Sequence, residues 1–318
     1  MQFFIGDKWM KNGLLRSPKL QEGDLVRLVS PASYPPKSDI STTINLLESW
    51  GLRCDTGNHI LDECGYMAGS DTDRLEDLNG AFRDPEVRAI ITTTGGAGAY
   101  RIADDIDFSS VRSDPKPLIG FSDITNLHLV LQKHCKLGGI HGCPWGNKAR
   151  RSIKQLLMST DSITLHSDPD AVSASVQFAG KAQGHLIGGN LQALANAVGV
   201  RMPIMKGAIL FLEYHRAGLG TADRYLTQLL RSGALNEVVG VVLGSFECYR
   251  DYIDRGWGIT DVLNDRLASL NVPVLGGIYA GHDLTDENGD TDQYAVPLGA
   301  QAILDVCEGS LTVESIMA

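Results

Sequence analysis

Long apolar runs are missing from this sequence. No stretch reaches the roughly 18 consecutive apolar residues of a membrane-spanning helix. The opening Met1-Gln2-Phe3-Phe4-Ile5 gives way at once to Asp7 and Lys8, too short for the core of a secretory leader. Both absences predict a cytoplasmic protein with no membrane partner. Basic charge is also scarce. The 28 Lys and Arg against 38 Asp and Glu leave a net charge of −10. One short basic knot, residues 148–151 with Lys154 nearby, stands where nucleic-acid binders carry a basic stripe. The expectation is therefore no nucleic-acid partner, with the knot read as solvated surface. None of the six cysteines, at 54, 64, 135, 143, 248 and 307, forms a CxxC pair. That argues against zinc ribbons and thioredoxin-type chemistry and fits a reducing compartment. Repeats and low-complexity tracts are absent.

What is present is an ordinary globular balance, 43% hydrophobic and 21% charged over 318 residues. That length accommodates two domains at about 150 residues each. Apolar, β-branched runs at 24–30, 87–94 and 117–121 alternate with helical patterns over 40–50, 71–82, 100–105 and 123–134. Alternation of this kind predicts βαβ units and a mainly parallel sheet. Between 146 and 180 no strong period is visible, and the segment is read as a linker with surface excursions. Alternation resumes with a helix opened by Gly188-Gly189-Asn190 and reaching 198. Strands follow at 208–212, 238–245 and 272–278, with helices at 221–231 and 260–270. Runs at 302–306 and 311–313 around Glu308-Gly309 predict a closing hairpin. The fold class is α/β with two domains: 1–145, parallel-sheeted and flavodoxin/amidotransferase-like, and 181–318, with a mixed sheet.

Four places carry chemistry-bearing residues. In Gly120-Phe121-Ser122-Asp123 a buried strand runs straight into a helix with a serine at the turn. That position lies at the carboxyl end of a parallel sheet, where open α/β folds bind ligands and a helix start offers free amides. It resembles a nucleophile elbow without the second glycine, since Ile124 holds that place; alternatively, Ser122 or Asp123 caps the helix. Thr94-Gly95-Gly96-Ala97-Gly98 leaves amides open to an anion, or is simply a tight turn, and lacks the third glycine of a dinucleotide loop. Glu213 ends an apolar strand, at a rim where an acid is either solvated or functional. His282 follows the glycine-rich run 276–281, where it is either structural or within reach of a neighbouring site. A serine needs a base, an imidazole near neutral pH suits that task, and a carboxylate fixes the imidazole's tautomer. The acidic stretch 283–292 does not fit an EF-hand loop and is read as a solvated loop, not a metal site.

Taken together these residues resemble the LD-carboxypeptidases, serine peptidase family S66, which also include the microcin-C-resistance proteins. The resemblance is carried by Gly95-Gly96-Ala97-Gly98-Ala99-Tyr100-Arg101, the run 115–125, His141-Gly142, Gly188-Gly189-Asn190-Leu191, Phe211-Leu212-Glu213, Gly281-His282 and Pro297-Leu298-Gly299. It implies a serine in the N-terminal domain and the glutamate and histidine in the C-terminal one. It also implies a homodimer and no metal or other cofactor. Carried over position by position, Ser122 is the nucleophile, His282 the general base and Glu213 its orienter. The oxyanion donors are the N–H of Asp123 and a loop amide, foremost Gly96. The function implied is hydrolysis of an L,D-peptide bond in a small muropeptide-like substrate during wall recycling. A second reading replaces it with a peptidyl- or aminoacyl-nucleotide, for which Trp145 or Trp257 would stack on the base. A third reading, from another class, is a non-catalytic nucleotide- or phosphate-binding protein. The sequence departs from the family pattern where Cys143 follows His141-Gly142, and in the long acidic stretch after His282; both bear on substrate choice more than on mechanism.

Overall fold

In a computed structural model, residues 9–248, 255–282, 284–285, 289 and 292–318 are described. Two sheets organise the chain. The first has six strands, in the spatial order Val296–Leu298, Gly139–His141, Leu118–Gly120, Val87–Thr92, Leu25–Val29, Arg53–Thr56. Its five N-terminal strands are parallel. Their central members are buried almost throughout, so they read as continuous apolar runs. Helices Lys37–Glu48, Asp71–Arg83 and Thr125–Cys135 connect them. Ser70 starts the second helix by accepting the Asp73 N–H at 3.2 Å. The sixth strand, Val296–Leu298, comes from far along the chain and pairs antiparallel with Gly139–His141. Pro297 lacks an N–H and is accommodated because this strand is an edge.

The second sheet has eight strands. Lys181–Asn190, Ala208–Ala217, Gly240–Cys248 and Val274–Leu275 are parallel, and the other members run antiparallel at the flanks. Two of these, Gln301–Asp305 and Ser310–Val313, form the expected closing hairpin. The α/β class is therefore observed, with one sheet parallel but for its antiparallel edge strand and one mixed sheet.

Three differences from the sequence reading have physical causes. The segment read as a linker contains a helix, Asn147–Met158, and strands Ile163–His166 and Gln177–Phe178 that edge the second sheet. Ala149, Ile153, Leu156 and Leu157 form the buried stripe of that helix, with Lys148, Arg150, Arg151 and Lys154 interleaved. The stripe recurs at helical spacing, but the basic residues between its members disguised it. The basic knot is also less solvated than expected. Lys148 stacks over Tyr279 at 4.6 Å, and buried Asp292 accepts its N–H at 2.6 Å. The run 272–278 shortens to Val274–Leu275, because the loop around Ser173 packs so closely that a Cβ on Gly276 would lie 1.8 Å from Ser173 O. The acidic stretch after His282 lies largely outside the described residues; Asp292 within it is buried.

Helix Thr125–Cys135 is buried along most of its length, including His128. The His128 Nε2–H donates to Leu118 O at 3.2 Å, tying helix to strand. Burial pulls this imidazole down to about 3 from 6.5. In the unfolded chain the same side chain takes up a proton as pH falls through 6.5. The folded state therefore loses stability as pH drops from 6.5 towards 3, and gains nothing from this group above 6.5. Replacing His128 by Leu removes that term. We expect the difference in urea midpoint between about pH 7.5 and about pH 5 to shrink in the variant; an unchanged difference would show that His128 does not titrate this way.

Candidate active site

The strand Leu118–Gly120 delivers the chain to the serine turn. Gly120 is required there, because a Cβ would lie 2.3 Å from Thr92 Oγ1. Phe121 is extended, and Ser122 then adopts φ 61°. A serine in left-handed backbone is uncommon, and such strain persists only where the surroundings enforce it. The N-cap positions here are Phe121, for the short turn Ser122–Ile124, and Ile124, for helix Thr125–Cys135; neither start has a side-chain capping bond, which sets the reading of Ser122 or Asp123 as the cap of that helix aside. Its neighbour Asp123 faces the glycine loop. Asp123 Oδ2 accepts the Ala99 N–H at 2.7 Å and Oδ1 accepts Asn126 Nδ2 at 3.0 Å. Burial pushes this carboxyl up to about 6, against the opposing pull of those donors.

The glycine loop is shaped around the serine. A Cβ on Gly95 would lie 2.6 Å from Ser122 Cβ, and one on Gly96, at φ 92°, would lie 2.2 Å from Ser33 Oγ. The Ala97 N–H is taken by Ser33 Oγ at 3.1 Å, and buried Arg74 holds Gly98 O at 2.9 Å. The Ala97 and Ala99 amides are thus engaged within the protein, whereas Gly95 and Gly96 line an open cleft.

The second sheet supplies an acid and an imidazole. Glu213 lies on the strand Ala208–Ala217, in register with Asn190, and is fully buried. Its Oε2 meets His282 Nδ1 at 2.6 Å. Its Oε1 accepts Asn190 Nδ2 at 3.2 Å. Burial pushes the carboxyl up, but the His282 charge and hydrogen bond, helped by His141 and Asn190, outweigh it and hold the group below its ordinary range. Asn190 serves twice, since its Oδ1 also caps helix Leu191–Ala197. The His282 ring stacks on His215, at 4.5 Å between centroids, and meets the tilted ring of Phe121 at 4.7 Å. Gly281, at φ 118°, lets the chain pass; a Cβ there would lie 2.3 Å from Ser245 Oγ and 2.8 Å from Glu213 Cβ.

Ser122, Asp123, Gly96 and His282 all line one cleft of about 680 Å³, with Glu213 buried directly behind His282. Of the two tryptophans considered for stacking on a base, Trp145 stands in this cleft, edge-on to Phe121 at 5.7 Å. Trp257 lines a different depression, with Leu219 and Arg255. Sequence reasoning missed Asn190, Tyr214, His215 and Arg201 in the cleft wall. His215 follows Glu213 by two residues on the same strand, a spacing that signals a shared face. Arg201 is paired with Asp104 at 2.7 Å. Among the described residues one group has metal-ligating types close together, His59, Asp62 and Asp73. There the two ring nitrogens point to different carboxylates, at 2.7 and 3.9 Å, which is the arrangement of an ion-paired imidazolium.

A half-buried serine in left-handed backbone, delivered by one sheet, and a carboxylate-backed imidazole, held by an acid of the other, line one cleft of an α/β protein. Comparison with known proteins identifies the family. The chain matches the LD-carboxypeptidase N-terminal domain over residues 26–142 and the LD-carboxypeptidase C-terminal domain over 183–304. It belongs to the LD-carboxypeptidase family, peptidase family S66. A probable murein peptide carboxypeptidase of Bacillus subtilis is 33% identical, with 93% of each chain covered. The murein tetrapeptide carboxypeptidase of Pseudomonas aeruginosa is 30% identical, over 88% of this chain and 92% of its own. The crystal structure of an MccF-like protein from Bacillus anthracis superposes with a TM-score of 0.80 at 25% identity, covering 94% of this chain and 99% of that one.

The contact between Gly95 and the serine makes a direct test. Gly95→Ala forces Ser122 to move, and hydrolytic turnover is expected to fall about 10²-fold. The stability loss should stay within about 1–3 kcal/mol. Steady-state kinetics paired with urea unfolding separates the two effects; undiminished turnover would contradict the packing described.

Proposed function

We propose that the protein is a serine carboxypeptidase that hydrolyses the bond between an L-configured centre and a terminal D-amino acid, in a muropeptide tetrapeptide. The observation that carries this reading is the buried Glu213–His282 pair, which shares one cleft with the strained Ser122 turn. Ser122 Oγ attacks the scissile carbonyl while His282 Nε2 takes its proton. Glu213 Oε2 holds the Nδ1–H tautomer and stabilises the imidazolium that forms. The oxyanion is received by the Asp123 N–H and the Gly96 N–H; the engagement of the Ala97 and Ala99 amides elsewhere supports that choice. His282 then protonates the leaving amine, and water resolves the acyl-enzyme with His282 as base. The reading is supported by the names of the relatives in Bacillus subtilis and Pseudomonas aeruginosa. It comes with a cytoplasmic homodimer, each copy of the chain carrying a serine-bearing unit, 1–145, and a Glu- and His-bearing unit, 181–318.

A second reading keeps the same chemistry and changes the substrate to a peptidyl- or aminoacyl-nucleotide. It is favoured by Trp145 and Tyr100 in the cleft, flat surfaces on which a base can stack, and by the likeness to the MccF-like structure.

Ser122→Ala is expected to lose about 10³-fold or more in kcat. Undiminished hydrolysis in that variant would end the proposal. The wild-type protein is expected to release a terminal D-amino acid from muropeptide tetrapeptide. Turnover of an aminoacyl-sulfamoyl adenosine, with none of the tetrapeptide, would select the second reading instead.

A further inference from the structure

His141 takes no part in the steps above, yet it lies against them. It ends the strand Gly139–His141, in the sheet that carries Ser122. Its side chain is wholly buried, with Phe211 at 5.4 Å and Phe121 at 6.3 Å between ring centroids. Neither ring nitrogen has a hydrogen-bond partner. Nε2 lies 3.7 Å from Glu213 Oε1, the oxygen that already accepts Asn190 Nδ2. Nδ1 lies on the side where Gly189 has no Cβ, 3.3 Å from the point such an atom would occupy.

Burial pulls the His141 imidazole down to about 4, so the ring is neutral near pH 7 and carries one N–H. Glu213 Oε1 is the carboxylate oxygen facing it, which selects Nε2 as the protonated nitrogen. A gap of 3.7 Å is longer than a formed hydrogen bond, and contacts of this kind tighten in the substrate complex. Neutrality matters here. A second cation on Glu213 would compete with His282 for the carboxylate, whereas a neutral donor stabilises the carboxylate's charge without displacing the imidazolium.

We propose that His141 is a positioning residue: its Nε2–H is aimed at Glu213 Oε1 and, together with Asn190, fixes the carboxylate plane so that Oε2 stays on His282 Nδ1. The inference rests on the reaction read above. His141 comes from the serine's sheet, and Glu213 from the sheet that bears the strand leading towards His282, so the contact also registers the acid–imidazole pair against the nucleophile. The titratable groups around it are few. Glu213 and His282 lie on one side. His128 lies behind, 6.5 Å between centroids, neutral and directed at Leu118 O, and His215 packs on His282.

The test compares His141→Phe, which removes the donor, with His141→Gln, which restores an amide N–H. His141→Phe is expected to lower kcat about 10- to 10²-fold with KM little changed. It should also shift the acid limb of the kcat/KM profile to higher pH, because Glu213 loses a donor that favours its charged form. His141→Gln should recover most of both. A His141→Phe profile that superimposes on wild type after scaling, or a Gln variant as impaired as the Phe variant, overturns the proposal. Should the Phe variant not fold, 15N NMR of histidine-labelled wild-type protein decides: the Nε2–H tautomer supports the proposal and the Nδ1–H tautomer overturns it. Failure of the underlying reaction reads out separately, as hydrolysis that survives Ser122→Ala whatever tautomer His141 adopts.

Discussion

A carboxylate cut off from water lies at the centre of this molecule. Isolated in an apolar interior, the Glu213 charge would be costly, and the group would neutralise itself instead. It remains an anion because donors converge on it from separate elements: His282 on Oε2, Asn190 on Oε1, and His141 nearby. Each donor has to be delivered at short range through a crowded interior. Gly188 and Gly281 have positive φ and no room for a side chain; a Cβ on Gly188 would lie 1.9 Å from Phe211 O. The register that sets Asn190 against Glu213 in adjacent parallel strands is therefore as much a part of the site as the side chains.

The same constraint joins the two sheets. The strand Val296–Leu298 follows the His282 segment along the chain and adds to the edge of the serine's sheet, pairing with His141 through Val296. Thr125, at the start of the helix that follows Ser122, accepts the Asn190 N–H at 3.1 Å. A Cβ on Gly189 would meet that Thr125 hydroxyl at 2.6 Å. Through these links the serine turn and the imidazole share one packed seam and do not lie across an open hinge. Packed interiors transmit small displacements, so a residue such as Gly95 that only touches the serine governs its placement.

Much of this was legible in the sequence. Buried parallel strands are continuous apolar runs, and those at 87–92 and 118–120 stand out for that reason. Ser122 and His282 are visible because each follows such a run beside glycine or a turn; Glu213 is visible as the acid after the apolar run 208–212, although the strand continues past it to Ala217 and buries it instead of leaving it at a rim. The strand Gly139–His141 is not, since three residues with one β-branched member, Ile140, are too short a run to mark it. Pro297-Leu298-Gly299 belongs to the motifs that carry the family resemblance, but Val296–Leu298 does not read as a strand, because its pairing partner is more than 150 residues away. His215 is legible only through its two-residue spacing from Glu213, whereas the placing of Arg201 in the cleft and the apposition of His141 to Glu213 depend on how the elements pack together. Local spacing carries no information about that packing.

The central claim is that the Glu213–His282 pair activates Ser122. The most direct measurement is the rate at which a fluorophosphonate labels the intact protein, with the adduct located by peptide mass spectrometry, in wild type and in Glu213→Gln. The account predicts a single adduct on Ser122 and labelling slowed by about 10²-fold or more in the variant. Labelling at another residue, or equal rates in the two proteins, would contradict it.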